Sequence, residues 1–160
     1  MIMRVVFTFL FVLFFVSTSA GQSFTLQEMI KLSKLDLEKF DTYVTTKGYE
    51  IYSDDKLEEG AVCYAKHLST TDAIPANFIS KNLNHISIQS HERNFYLKIK
   101  NQLKVLGFKL VESKTYKMKN GDNGLNFVYR KGISAVVIYV GSNSNYEINY
   151  VEKMNWPSFY

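Results

Sequence analysis

One cysteine, Cys63, in 160 residues leaves no partner for an intramolecular disulfide, so the fold must be held by packing alone. No Asn-x-Ser/Thr sequon occurs, and no cysteine follows the N-terminal apolar run to accept a lipid anchor. No Lys/Arg-rich block stands out, and a net charge of +4 is too small to mark a nucleic-acid binder. The Gly-x-Ser-x-Gly elbow, the phosphate-binding loop and the zinc spacings are all missing. These absences exclude the classes of protein that announce themselves by a local motif. Neither a cofactor nor a metal is expected.

The longest apolar stretch that does occur is at the start. Arg4 precedes Val5 to Val16, interrupted only by Thr8, and Ser17 to Ala20 are small. That is the layout of a signal peptide cleaved after Ala20; 12 apolar residues are too few for a helix that must cross a bilayer with about 20. The expected product is a secreted or periplasmic protein, residues 21–160, with no membrane span after signal removal. Arg4 is the one charged residue among the first 20, so the net charge falls from +4 to +3 on cleavage. A remainder of this size forms one domain with a substantial core.

Within that domain two segments share a spacing. Leu37, Phe40, Val44, Gly48, Tyr49 and Ile51 recur as Tyr96, Ile99, Leu103, Gly107, Phe108 and Leu110, a constant offset of 59. Apolar residues three and four apart mark one face of a helix, Gly fits a left-handed helix end, and the aromatic opens a strand. Thr25 to Glu28 reads as a capping box, Ser33 to Asp36 as a second helix start, and Ser90 as the N-cap of the second long helix.

Strand candidates follow each helix. Residues 59–66 and 84–89 come after the first; 125–130, 133–140 and 146–151 come after the second, separated by turn signals at 120–124, 131–132 and 141–145. Residues 69–82 contain Pro75 and show no firm strand, which leaves the third or fourth strand of the first half as a loop or a short edge. Ile133 to Val140 is apolar on both sides, as expected of a central strand or of one whose outer face is also covered; the aromatic tail, 153–160, is a candidate cover. The fold class is therefore α+β: two tandem helix-plus-antiparallel-meander repeats, about 24–90 and 91–152, with the helices packed on one face of an antiparallel sheet.

That order of elements resembles exported domains built of two such repeats, as in the β-lactamase inhibitor proteins. The likeness implies a concave sheet face that grips a partner protein; the disulfides of that family have no counterpart here. Phe40 to Tyr49 also resembles segments of uncharacterised small secreted bacterial proteins, which implies no activity.

Candidate chemistry is sparse. His67, His85 and His91 have no metal-ligand spacing, and the Asn120 to Gly124 stretch lacks the ligand pattern of a calcium loop and reads as a tight turn. Asp54, Asp55, Glu58 and Glu59 sit in a polar connection between strands, with nothing to set their pKa values apart as acid and base. Cys63, inside an apolar run, reads as a buried inert thiol. No catalytic residue is assigned. Eleven tyrosines supply rigid contact area with a polar tip, suited equally to recognition and to sheet structure. Strand alternation nominates Tyr52, His85, Gln89, Arg130, Glu147 and Asn149 for the sheet face away from the helices. The expected role is binding of a protein, peptide or envelope component there. A hydrolase acting on envelope or nutrient polymers, with a cleft of converging titratable groups, is the alternative, as is a structural envelope accessory.

Overall fold

The computed structural model describes residues 24–52, 61–67, 77–117 and 121–153. Helices α1 (Leu26–Ser33) and α2 (Leu37–Thr46) lead into strands β1 (Glu50–Ile51), β2 (Val62–Lys66), β3 (Asn77–Asn82) and β4 (His85–Ser90). Helix α3 (Arg93–Val105) is followed by β5 (Lys109–Lys117), β6 (Asn123–Lys131), β7 (Ser134–Val140) and β8 (Tyr146–Val151). The class is α+β: the described residues form three α-helices and one eight-stranded sheet, ordered β1-β2-β3-β4-β8-β7-β6-β5. Every neighbouring pair is antiparallel.

The helices begin where short polar side chains can replace missing backbone partners. Thr25 Oγ1 accepts from the Glu28 amide at 3.1 Å, and Glu28 Oε2 accepts from the Thr25 amide at 2.7 Å, which completes the capping box of α1. Asp36 caps α2, accepting from the Lys39 amide at 2.9 Å. The start of α3 corrects the expectation. Ser90 ends β4, and Glu92 occupies the N-cap; the Ser90 hydroxyl instead accepts from the Glu92 amide at 3.1 Å.

The ends of α2 and α3 are alike in detail. Gly48 and Gly107 have φ of +79° and +80°, in the left-handed region expected of them. The Gly48 amide donates to the Thr45 carbonyl at 2.9 Å and the Tyr49 amide to that of Val44 at 3.1 Å. The Gly107 amide donates to Lys104 at 3.1 Å and the Phe108 amide to Leu103 at 2.9 Å. Each helix thus closes with the two-bond Schellman arrangement, and the aromatic that follows packs back into the core.

Alternation decides which strand residues meet the helices. Leu26, Met29 and Leu32 of α1, Phe40 and Val44 of α2, and Phe95, Ile99 and Leu103 of α3 form one cluster with Ile79, Ile86, Ile88, Val136, Ile138, Ile148 and Tyr150. Burying one such side chain contributes about 1.5–3 kcal/mol, so this layer dominates the stability. Two lysines of the sheet reach into it and cap helix ends. Lys81, only 3 % exposed, donates to the carbonyls of Leu32, Ser33 and Leu83 at 3.2, 2.8 and 2.7 Å. Lys66 donates to the Lys47 carbonyl at the end of α2, at 2.7 Å. Between the helices, Glu28 receives Lys47 and the Tyr43 hydroxyl, both at 2.7 Å. Burial raises the Glu28 carboxyl, but the hydrogen bonds from Lys47, Tyr43 and Thr25 outweigh it and hold it at about 2.

Three strand expectations need correction. Asn77–Asn82 is a full strand in the sheet interior, paired along its length with both β2 and β4. Ile133 belongs to the turn before β7 and is 62 % exposed. The central pair of the sheet is β4 and β8, with β7 one place further out. The outer face of β7 is nonetheless sequestered: Ala135 and Val137 are buried although they point away from the helices. Residues 1–23, 53–60, 68–76, 118–120 and 154–160 lie outside the described residues, and with them the expected signal peptide, the acidic pairs and Trp156.

Candidate functional site

The register aligns the face opposite the helices into rows that run across the strands. One row passes through Cys63, Ser80, Ser87, Asn149, Val137 and Val128; the adjacent row passes through Ala65, Phe78, Gln89, Glu147, Tyr139 and Asn126. The first row is polar over β3, β4 and β8 and apolar over β7 and β6.

On the polar half lies a cleft of about 290 Å³, lined by Tyr52, Cys63, Phe78, Ser80, Ser87, Gln89 and Glu147. Tyr52 sits one residue beyond β1, its amide bonded to the Cys63 carbonyl at 2.9 Å, and its ring meets Phe78 edge to face with centroids 5.2 Å apart. The Tyr52 side of the cleft is accessible, the residue being 37 % exposed. A polar chain orders the other side. His85 Nε2 lies 2.8 Å from Asn149 Oδ1, Asn149 Nδ2 donates to Glu147 Oε1 at 3.0 Å, and the Ser87 hydroxyl reaches the same oxygen at 3.4 Å. Beyond Glu147 the Tyr139 phenol is pushed up by burial and further by the Glu147 and Tyr116 charges.

All six residues nominated from alternation project from this side of the sheet, but they do not form one group. Tyr52, Gln89 and Glu147 line the cleft. His85 and Asn149 flank it through the hydrogen-bonded chain, and Asn149 is only 7 % exposed, so it supports the surface more than it presents itself. Arg130 lies on β6, two strands beyond β8, in the row of Val151 and Ala135. Four cleft residues were not nominated: Cys63, Phe78, Ser80 and Ser87. Ser87 shared the alternation of His85 and Gln89 and was within reach of the same argument; Phe78 and Ser80 belong to the strand that the sequence did not reveal.

Ser87 donates to a carboxylate and His85 meets an amide oxygen, so neither of these pairs a nucleophile with a base. Among the described residues no group of three or more His, Cys, Asp or Glu is placed to hold a metal ion. No described helix is long and apolar enough to cross a membrane. The molecule is defined by its architecture, an α+β chain with one sheet face packed under helices and the other carrying a polar cleft. Comparison with known families, with characterised proteins and with solved structures finds no match to this chain.

Proposed function

We propose that this chain is an exported, non-catalytic binding module that holds a protein, peptide or envelope component against its open sheet face. The observation that carries the reading is the cleft, where the aromatic pair Tyr52 and Phe78 shares one lining with Ser80, Ser87, Gln89 and the hydrogen-bonded Glu147. Recognition surfaces combine rigid aromatic area with a few oriented polar groups in this way.

Two further parts of the reading rest on the sequence and on local geometry. The matching Schellman ends at Gly48 and Gly107 support two tandem helix-plus-meander repeats joined where β4 meets β8. The layout of residues 1–20 supports export to the periplasm or medium, and intact-mass measurement of the exported chain should show cleavage after Ala20.

The test of binding is a comparison of surfaces. Wild-type protein and a Tyr52→Ala, Gln89→Ala double variant are immobilised in parallel and exposed to an extract of the cell envelope of origin and to the spent medium. Capture of one specific component by the wild type and its loss in a variant of unchanged melting temperature is the expected result. Equal capture by both would refute the cleft as the site.

A further inference from the structure

Among the described residues that line the cleft, Glu147 alone carries a formal charge. Glu147 Oε1 accepts from Asn149 and Ser87, both neutral, so the carboxylate is oriented without being neutralised. Among the described residues, the register keeps the cations of this face away from it. Lys114 stands in the same row but three strands distant, about 14 Å at the usual strand spacing, and pairs with Glu112 at 2.6 Å. Arg130 is two strands over and two rows along. The Tyr52–Phe78 pair lines the same cleft, and because its rings meet edge to face, one ring keeps its faces, the negative side of the aromatic quadrupole, uncovered by the other.

A carboxylate and aromatic rings in one lining satisfy a cation carried on an apolar stem. The rings cover methylenes and the inner end of the charge, the carboxylate takes N–H donors, and the Ser80 hydroxyl and Gln89 amide oxygen can accept further ones. An acidic side chain would meet Glu147 at close range and be repelled. A purely apolar one would strip water from the carboxylate without replacing its hydrogen bonds. We propose that the cleft receives a basic side chain, Lys or Arg, from a protein partner lying over β3, β4 and β8. This rests on the binding reading above and names the chemistry of its central contact. The net charge of +3 that remains after loss of Arg4 opposes a basic partner at long range, so the complementarity is local and serves specificity more than rate of encounter.

The test is a titration of the full, nitrogen-labelled chain with blocked tripeptides that have Lys, Arg, Met or Glu between two alanines, followed through the backbone amides of Ser80, Gln89 and Glu147. Saturable shifts with the Lys or Arg peptide, at least about tenfold tighter than with Met, are expected from one ion pair and one ring contact. Glu147→Gln, which keeps an oxygen for Asn149 and Ser87, should abolish that preference while the spectrum stays dispersed. Should that variant fail to fold, Tyr52→Ala supplies the same readout from the aromatic pair and should weaken the basic peptides by several-fold. Equal binding of the Met and Lys peptides would overturn the basic side chain and leave the face as a binding surface. Shifts by no peptide at these amides would overturn both.

Discussion

Replacing Gly107 by Ala isolates the backbone cost of ending a helix with a side chain. At φ of +80° an L-residue pays about 1–2 kcal/mol for the approach of Cβ to the following carbonyl. Against this, Ala restricts the unfolded chain and recovers about 0.4–1 kcal/mol. A Cβ built on Gly107 meets no atom within 4 Å, so no steric cost is added, and the net loss is about 1 kcal/mol. Gly48 has nearly the same φ, and its Cβ would stand 3.6 Å from Lys66 Nζ, ordinary contact, so the same loss is expected there. Each variant should lower the melting temperature by about 2–5 °C, and the double variant by about the sum, since the two ends share no hydrogen-bond partner. Asn tolerates the left-handed region, so Gly→Asn at either site should recover part of the loss. Urea titration of the single, double and Asn variants decides the matter. Neutral alanines would show that the left-handed ends contribute nothing, a loss above about 3 kcal/mol at Gly107 would require a contact the fold does not contain, and sharply unequal losses would count against equivalent helix ends.

Further perturbations address the core, the open face and the caps. Ile148→Ala should cost about 2–5 kcal/mol in urea unfolding, because a fully buried side chain at the centre of the sheet leaves a cavity. Asn149→Ala should cost about 1–3 kcal/mol rather than nothing, since it strands His85 and Glu147 from their shared partner, and His85→Ala in the same background should then add little. Lys81→Met should cost about 2–3 kcal/mol and speed amide exchange in the β3–β4 turn and the residues after α1, whose carbonyls lose their donor. Glu28 is depressed in the folded state, so its contribution is complete above the ordinary carboxylate pKa and fades as pH falls from 4.5 to about 2. Glu28→Gln should flatten acid unfolding across that window, by no more than about 2 kcal/mol after solvent screening, as read from melts at stepped pH.

What the sequence made legible was governed by neighbours in the chain. The Thr25–Glu28 box, the left-handed Gly48 and Gly107, and the outward Glu147 and Asn149 each follow from a spacing of two to four residues, and each is found as read. Strand β3 was missed because its logic is distant. Lys81 looks solvent-facing, yet it is buried because carbonyls of α1, some 48 residues earlier, need its ammonium. The turn that follows it puts Leu83, rather than a glycine or asparagine, at the position with φ of +46°. The open face shows the same division. Alternation identified its side of the sheet, but the gathering of Tyr52, Gln89 and Glu147 and the separation of Arg130 depend on strand order. Hydrophobic periodicity carries no information on which strands become neighbours.

The junction of β4 with β8 sets a schedule for folding. His85 pairs with Val151 and Ser90 with Tyr146, so the strand that completes the first half of the sheet waits for the last strand described. Until it arrives β4 exposes a full row of amides and carbonyls, the kind of template on which chains join wrongly. The Leu26 amide also waits, since its acceptor is Gln102 on α3, at 2.7 Å. Such distant pairings favour slow, late closure over stepwise assembly as the chain emerges. The N-terminal half released alone should therefore be a poor folder, and its deficiency should be repaired by supplying β8 in trans.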